Sequence, residues 1–508
     1  MPKRLTPVFI ISLLLLPVLS LQALAQMDSG LMATVADTFS DDRVTYGKLR
    51  VDLVSDNRFA FKEAADSRNV SLKVSNPTGD SMDVYLAAYQ EGDWNILGKM
   101  GTVGPESTTT FVYPLDFSYN GRSVEVDRFG VVGHVDDRYL GSHFEVVENW
   151  EAYEQKLKST LSMFGVVSSG VLVGILIIAL AGVYVVASQT KHDEVTRGEY
   201  SFKTLFFPMA RMRPMSEKIA NILINPFFWL LELICGAILV GLILMFALTD
   251  IRSDIGLLVF IVGGVAALFM PIIFLIIGYL ADYYEREPFR FILAMFMWGV
   301  MSTLFAFFIN TLLSMLLGAT MSEGLALVIT AVLIAPVVEE VAKGTGLLVI
   351  SGHHEYDDAF DGILYGFAIG MGFAAVENWL YFASNASPVA VGGLTEWAYN
   401  ILYRSFLCAL AHGGFTAAIG GMIGYFKSKN NLRVNSYKGF LIGLPIAIVL
   451  HGIFNFTAII DAIIQTALGV PVPVFDPILT IAMTLFYIIL GIMLQRRIRD
   501  RLKRKLNV

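Results

Sequence analysis

Three charged residues interrupt an otherwise apolar stretch of this sequence. The segment PVVEEVAKG, residues 336–344, places Glu339, Glu340 and Lys343 within little more than one helical turn. Glu339 and Lys343 are four residues apart and share one face of a helix, whereas Glu340 is turned by about 100° toward another neighbour. Because a buried carboxylate can take a proton from water, the segment predicts hydrolytic chemistry.

Five further polar side chains stand in the apolar stretches that follow. They are Glu377, Arg404, His412, His451 and Asn455. Histidine can orient water, hold a metal ion or protonate a leaving amine, and an amide one helical turn after His451 can stabilise an oxyanion. Each formal charge at a helix centre costs roughly 2.5–3.5 kcal/mol on insertion scales, so these groups are expected to face one another or a wet cavity.

The elements that carry these residues are long apolar segments. The chain has 508 residues, of which 55% are hydrophobic and 16% charged, a composition that excludes an ordinary soluble protein. Runs of 18 or more apolar residues can cross about 30 Å of hydrocarbon, and they predict a polytopic α-helical membrane protein. About nine transmembrane helices are predicted, at residues 162–187, 226–248, 256–281, 291–318, 325–350, 362–384, 398–426, 439–464 and 475–494.

The polar groups of spans five to eight are predicted to lie at the same depth in the membrane. Counted at about 1.5 Å per residue, four groups lie near mid-membrane or slightly toward the cytoplasm. They are Glu339, Glu377, His412 and His451. Matched depth in four consecutive helices is hard to explain by packing alone, and it favours a shared site.

Span six carries a row of glycines. Gly362, Gly366 and Gly370 recur every four residues, which predicts close approach of a neighbouring helix. Glu377 follows Gly370 by seven residues and is therefore expected on the same close-packed face.

The first 160 residues differ from the rest of the chain. Lys3 and Arg4, an apolar run and the small-residue site ALA predict a secretory signal peptide at 1–25. Residues 26–160 hold 22 of the 44 acidic residues, so this part has a surface unlike that of the spans. Short alternating segments separated by turn signals predict an N-terminal extracytoplasmic all-β domain, sandwich-like in architecture.

Basic residues near the helix ends set the predicted orientation. Lys and Arg cluster in 188–225, 282–290 and 427–438 and in the tail 496–508, and these clusters alternate with sparsely charged connections. By the positive-inside rule, this is a multi-pass protein of the cell membrane with its N-terminal domain outside and its C-terminus in the cytoplasm. Residues 161–285 then comprise the first three spans with the cytoplasmic connection 188–225.

Four motifs in order resemble the PrsW family of intramembrane proteases, which is related to the CAAX-processing endopeptidases. They are EEVAK in span five, FDGILYGFAIGMGFAAVEN in span six, RSFLCALAH in span seven and HGIFN in span eight. The resemblance covers about 280–495 and places a protease core at 286–495. It implies an intramembrane endopeptidase that cleaves membrane-anchored proteins, such as anti-sigma factors.

The resemblance also implies roles for individual side chains. Glu339 would be the base that activates water. Glu340 would be held by a basic group, either Lys343 or Arg404. The remaining members of the site would be Glu377, His412, His451 and Asn455.

Metal dependence has two alternatives at the level of sequence. Glu377 stands where the CAAX-type relatives have a histidine, which leaves both a glutamate-type and a metallo-type mechanism open. A divalent metal such as zinc would take Glu377, His412 and His451 as ligands and keep a position for water. The chain has no His-Glu-x-x-His helix, and the segment SGHHEYDD, predicted to be a solvated loop, lacks that spacing. These observations slightly favour catalysis without a metal.

Two other classes of function also place charges inside a membrane. A proton- or ion-coupled transporter would favour an internal repeat, which we do not find in the sequence. A catalytically silent sensor or scaffold would be favoured by loss of one catalytic group, yet the set is complete. The expected partners are the lipid bilayer and a membrane-anchored protein substrate, and no nucleic-acid-binding module is recognised.

Overall fold

The structure is a computed structural model. It describes residues 44–46, 49–90, 93–135, 138–189, 215–225, 227–232, 234–236, 254–282, 287–384, 387–388, 393–429, 433–468 and 473–505. The signal peptide predicted at 1–25 lies outside the described residues, as does most of the span predicted at 226–248. Contacts divide the chain into two compact units, one ending at Lys156 and one beginning at Leu157.

The N-terminal unit is rich in β-structure, as predicted, and contains two sheets. The larger sheet has the order β1 (Val44–Tyr46), β9 (Arg138–Asn149), β8 (Val124–Val135), β5 (Met82–Gln90) and β6 (Asp93–Val103), and β3 (Arg58–Ala60) also pairs with β9. The smaller sheet has the order β2 (Arg50–Leu53), β4 (Ala65–Ser75) and β7 (Thr108–Ser118). Strands β1 and β3 run parallel to β9, so the larger sheet is mixed. Assembly of the two sheets as a sandwich stays a prediction.

The second unit is a bundle of long helices, the first of which begins six residues before the division at Leu157. In chain order the helices are α1 (Glu151–Gln189), α2 (Met215–Leu223), α3 (Asp254–Ala281), α4 (Phe289–Gly318), α5 (Glu323–Ile329), α6 (Ala335–Ile350), α7 (Ala359–Ala383), α8 (Leu394–Tyr403), α9 (Ala409–Lys427), α10 (Arg433–Leu468) and α11 (Phe475–Lys505). Two π-helical segments join neighbouring helices into continuous spans, π1 (Thr330–Ile334) between α5 and α6 and π2 (Arg404–Cys408) between α8 and α9.

Within the described part of the chain, eight helical segments are long and apolar enough to cross a membrane. The prediction of a polytopic helical membrane protein is therefore confirmed. The predicted total of nine depends on residues 226–248, most of which lie outside that part.

Helix α7 lies at the centre of the bundle because small residues let its neighbours approach closely. In its most apolar stretch 83% of the residues are buried, against 11% for α1. A Cβ atom added to Gly362, Gly366 or Gly370 would lie 2.0, 2.4 or 2.4 Å, respectively, from a backbone oxygen of α9. The glycine row therefore brings the backbones of α7 and α9 into contact, as its spacing predicts.

The connection between α6 and α7 is folded against the bundle. Asp358 and Asp361 form a capping box that begins α7. Lys427, at the end of α9, donates to the backbone oxygens of Ser351 at 2.8 Å and His353 at 2.6 Å. Burial lowers the pKa of His353 to about 3. The prediction of a solvated loop over SGHHEYDD is therefore wrong, because half of its residues are buried among these contacts.

Candidate active site

Helix α6 carries the charged residues of the PVVEEVAKG segment into the interior of the bundle. Glu340 and Lys343 are fully enclosed, and Glu339 is 9% exposed. Pro336 stands in the first turn of α6, directly after π1, and the residues from Ala335 to Ile350 form one unbroken α-helix. The helix therefore continues without a break through the three charged positions.

Glu340 is an anchor because neighbouring groups contact both of its oxygens. Oε1 accepts a hydrogen bond from Lys343 Nζ at 2.7 Å and lies 3.0 Å from Nδ1 of His451. Oε2 accepts from Oγ1 of Thr416 at 3.2 Å. Of the two basic groups expected for Glu340, the structure pairs it with Lys343 and not with Arg404.

The hydrogen-bond network assigns a proton to one nitrogen of each histidine. Because a carboxylate accepts, Nδ1 of His451 carries the proton toward Glu340. Nε2 of His451 keeps its lone pair and lies 3.8 Å from Oε2 of Glu339. Because an ammonium donates, Nδ1 of His412 accepts from Lys343 Nζ at 3.1 Å, and Nε2 of His412 carries the proton.

Glu377, on α7, stands between Arg404 and His412. Its Oε1 accepts from Arg404 at 3.2 Å, and its Oε2 lies 2.6 Å from Nε2 of His412. Arg404 is itself held by Asn378, whose Oδ1 accepts from Nε at 3.1 Å, and by the Tyr381 ring, 3.7 Å from the guanidinium carbon. Arg404 is therefore the charge partner of Glu377.

Glu339 differs from Glu340 because it faces a cavity. Nδ2 of Asn310 on α4 donates to its Oε1 at 3.2 Å, whereas no described residue donates a hydrogen bond to the buried Oε2. The cavity has a volume of about 660 Å³, and the predicted residues that line it are Glu339, Glu377, Arg404, His412, His451 and Asn455. The structure thus brings six of the eight predicted residues to one cavity and places Glu340 and Lys343 directly behind them.

Asn310 belongs to this site and was missed by the motif analysis. It lies within the apolar run FAFFINTLLSMLL of α4, outside the four motifs. A polar residue within a membrane span is itself a functional signal, and that signal could have identified it.

The π-helical segments shape the wall of the cavity. A π turn holds one residue more than an α turn and disturbs the regular pattern of backbone hydrogen bonds. The backbone oxygen of Ala331 in π1 accepts a hydrogen bond from Nδ2 of Asn455 at 2.8 Å. One of the two hydrogens of the Asn455 side-chain amide is therefore already used. Segment π2 begins at Arg404 and includes Cys408, and both residues line the cavity.

Three side chains of the cavity can reach a common metal ion. Glu339, His412 and His451 each offer one ligand atom, and these atoms lie within 4.8 Å of one another. Two histidines and one carboxylate are a known donor set of catalytic zinc sites, and a metal-bound imidazole usually donates its other N–H to a group such as a carboxylate. The set predicted from the sequence had Glu377 where the geometry has Glu339, whereas Glu377 contacts Arg404 and His412.

The charges of the cluster also favour a cation. Three carboxylates, those of Glu339, Glu340 and Glu377, stand against two cations, Lys343 and Arg404, which leaves an excess of one negative charge. Oε2 of Glu339 is buried without a hydrogen-bond donor among the described residues, so it offers a free acceptor. Glu339 and His451 therefore fit a divalent metal ion, and His412 completes the set through Nδ1 when Lys343 no longer donates to that nitrogen.

Known proteins resemble the part of the chain that holds this cluster. Residues 287–486 match the model of a family described as PrsW family intramembrane metalloprotease. Protease PrsW of Geobacillus kaustophilus is 30% identical over 182 residues, which cover 35% of this chain and 71% of the relative. Protease PrsW of Bacillus subtilis is 28% identical over 181 residues, which cover 35% of this chain and 74% of the relative. The matched residues include every member of the cluster described above.

Proposed function

The chain belongs to the PrsW family of intramembrane metalloproteases, and from that premise we propose that it hydrolyses peptide bonds of membrane-anchored proteins in the Glu339 cavity. Family membership makes it an intramembrane protease, and its apolar helices make it a multi-pass membrane protein. Its substrates are accordingly membrane-embedded proteins. What each residue does, and from which side the substrate enters, is inferred from the contacts in the cavity.

The observation that carries the proposal is the difference between two adjacent glutamates. Glu340 is fully enclosed and contacted at both oxygens, whereas Glu339 faces the cavity with a free Oε2. Glu339 is therefore the carboxylate that holds the water and takes its proton when the water oxygen attacks the carbonyl carbon. The same proton passes to the amide nitrogen when the C–N bond breaks.

His451 and Asn455 support this chemistry from α10. They lie one helical turn apart and line the same cavity. Nε2 of His451 has a lone pair close to Glu339 and can accept the second hydrogen of the water. Nδ2 of Asn455 has two hydrogens, of which Ala331 uses one, so the other can stabilise the developing oxyanion.

We also propose that Glu339, His412 and His451 hold a divalent metal ion such as zinc. Bound there, the ion would polarise the substrate carbonyl and lower the pKa of water. With the ion bound, the lone pair of Nε2 of His451 would serve as a ligand instead of accepting a hydrogen of the water. Glu340 fixes the His451 ring through Nδ1, and Lys343 offsets part of the negative charge.

The shape of the cavity supports entry from the outer side. Its wall includes Met315 near the end of α4, Ser384 at the end of α7, Ala462 near the end of α10 and Asp476 near the start of α11. These positions share one end of the bundle, which the distribution of basic residues predicts to be extracytoplasmic. A single-span protein cut near its outer boundary therefore fits the cavity, and anti-sigma factors, which the family resemblance suggests, are proteins of this kind.

The test compares three full-length proteins in host membranes at matched expression. They are wild type, Glu339→Gln, which keeps the size of the side chain and removes the base, and Glu396→Gln. Glu396 is an exposed glutamate of α8 that is absent from the cavity wall, so its variant controls for loss of a carboxylate. We expect membrane-protein fragments in wild type and Glu396→Gln that are missing in Glu339→Gln. Fragments that persist in a folded Glu339→Gln variant would refute the role of Glu339.

A second arm addresses the metal. Purified wild type is treated with a chelator, and zinc is then added back. We expect cleavage to stop and to return. Cleavage that continues in the metal-free protein would refute the metal while leaving Glu339 as the base.

A further inference from the structure

Asp476 is a buried carboxylate in the wall of the catalytic cavity for which the chemistry above has no role. It lies in the first turn of α11 and is 3% exposed. Oδ1 accepts a hydrogen bond from Oγ1 of Thr457 at 2.5 Å, and Oδ2 accepts from the hydroxyl of Tyr403 at 3.2 Å. Both donors are neutral, so the contacts leave the negative charge of Asp476 in place.

The start of a helix often explains an acidic residue, but another residue has that role here. Asp461 on α10 accepts the backbone N–H groups of Val474, Phe475 and Asp476 at 2.9–3.1 Å. The carboxylate of Asp461 thus caps α11. The side chain of Asp476 is directed to the two hydroxyls instead.

The other carboxylates of the cavity have cationic partners. Glu339 lies 3.8 Å from Lys343 Nζ, and Glu377 lies 3.2 Å from Arg404. No lysine, arginine or histidine of the described residues lies within ion-pair distance of Asp476. A charged carboxylate inside a membrane is costly when all of its hydrogen-bond donors are neutral. A carboxylate can also accept up to about four hydrogen bonds. Asp476 therefore has both the charge and the capacity to bind a cation that enters the cavity.

Helix geometry gives the distance from the reacting bond. His451 marks the level of the reaction on α10, and Thr457, the partner of Asp476, follows six residues later. At about 1.5 Å per residue this is about 9 Å toward the predicted outer end. An extended peptide covers about 9 Å in two to three residues.

We propose that Asp476 is a specificity-determining residue that binds a lysine or arginine side chain of the substrate, about two or three residues from the scissile bond on its outer side. This inference rests on the proposed function of the cavity. It adds a preference of the enzyme for one kind of side chain at one distance.

The experiment uses full-length protein and single-span reporter proteins built around a bond that wild type cuts and Glu339→Gln does not. The reporters differ in one residue, with Lys, Gln or Glu placed at each of the six positions on the outer side of that bond. The readout is the ratio of cleavage rates for Lys and Gln at the same position. We expect a ratio of about ten or more at the second or third position in wild type, the effect of a charge-assisted hydrogen bond, and a ratio near one farther out.

Two variants separate recognition from a structural role. Asp476→Asn should bring the Lys to Gln ratio to about one, and Asp476→Lys should favour Glu over Gln. Tyr403→Phe is the matched control, because it removes a hydroxyl that contacts Asp476 and keeps the carboxylate. It should retain most of the ratio.

Three outcomes would overturn the proposal. They are a wild-type ratio near one at every position, an unchanged ratio in a folded Asp476→Asn protein, and an equal loss of the ratio in Tyr403→Phe. If the Asp476 variants do not fold, the wild-type scan decides alone through the position of its maximum. Failure to find any bond that depends on Glu339 would refute the proposed function itself and this inference with it, whereas cleavage without a basic preference refutes the inference alone.

Discussion

Replacing Gly370 with alanine should inactivate the protein by separating two helices. A Cβ atom at this position would lie 2.4 Å from the backbone oxygen of His412 and 2.5 Å from Cα of Gly413. Ordinary contacts of a Cβ atom begin at 3.4 Å, so α7 and α9 have to move apart by about 1 Å at this level. Both obstacles are backbone atoms, which cannot turn aside as a flexible side chain can.

This separation falls at the level of the candidate site. The displaced backbone is that of His412 on α9. Nε2 of His412 lies 2.6 Å from Oε2 of Glu377, which belongs to α7, so the separation of the two helices changes this distance directly. A misplacement of about 1 Å can lower a rate by about 100-fold. Overpacking costs about 1–3 kcal/mol of the free energy of unfolding, which a domain of ordinary stability tolerates. We therefore expect about a 100-fold loss of cleavage in a folded protein.

The assay is cleavage of a membrane-anchored reporter by the purified protein in proteoliposomes, with thermal unfolding measured on the same samples. Gly170→Ala is the matched control, because no atom of the residues that the structure describes lies within 4 Å of the Cβ atom added at this position of α1. Cleavage at the wild-type rate by Gly370→Ala would refute the reasoning. An equal loss in Gly170→Ala would refute it as well, because the effect would then not depend on the contact between α7 and α9.

Three further changes have expected outcomes of different kinds. Lys343→Met leaves Glu340 buried without its cation and should lower the free energy of unfolding by about 3–5 kcal/mol, measured by thermal unfolding in detergent. The double variant with Glu340→Gln should recover part of this loss, and no recovery would contradict the pairing. Asn310→Leu removes the donor to Oε1 of Glu339 and should lower the cleavage rate about tenfold with folding retained; an unchanged rate would show that the contact does not position Glu339. In the N-terminal unit, burial raises the pKa of Glu148 from its ordinary value of 4.5 to about 8. The folded unit then binds the extra proton, so its stability is greatest below about pH 4.5 and falls as the pH rises to about 8. Glu148→Gln should flatten this fall when unfolding of the β-structure is followed by circular dichroism, and an equally steep fall would place its cause in other groups.

Much of the site could be predicted because a charged side chain inside a membrane is costly unless it contacts other polar groups or water. Polar residues on four spans at matched depth have to meet one another or water, and the structure brings six of them to one cavity. The glycine row of α7 was equally readable, because a repeat of four residues marks one face of a helix whatever that face contacts. The hydrophobic spans follow from length and composition alone.

The pairing within the site could not be predicted in the same way. Regular helical spacing places side chains around an α-helix, but Arg404 starts a π-helical segment, where the angle per residue changes. From the sequence, either Arg404 or Lys343 could form the ion pair with Glu340. In the structure Lys343 pairs with Glu340, and Arg404 pairs with Glu377. The buried loop before α7 was missed for a different reason, since its neighbours come from α9, far along the chain.

Each π-helical segment amounts to one residue inserted into an otherwise regular helix. Removing one residue from Arg404–Cys408 would restore the α-helix and turn one end of the span by about 100° relative to the other. The span would keep its apolar composition and still cross the membrane, yet Arg404 would no longer face Glu377. In an evolving lineage, loss of a single codon between Arg404 and Ala409 could thus abolish activity while every charged and polar residue that lines the cavity stays in the sequence. Relatives that keep those residues but have a span-seven motif shorter by one residue are therefore expected to be inactive members of the family.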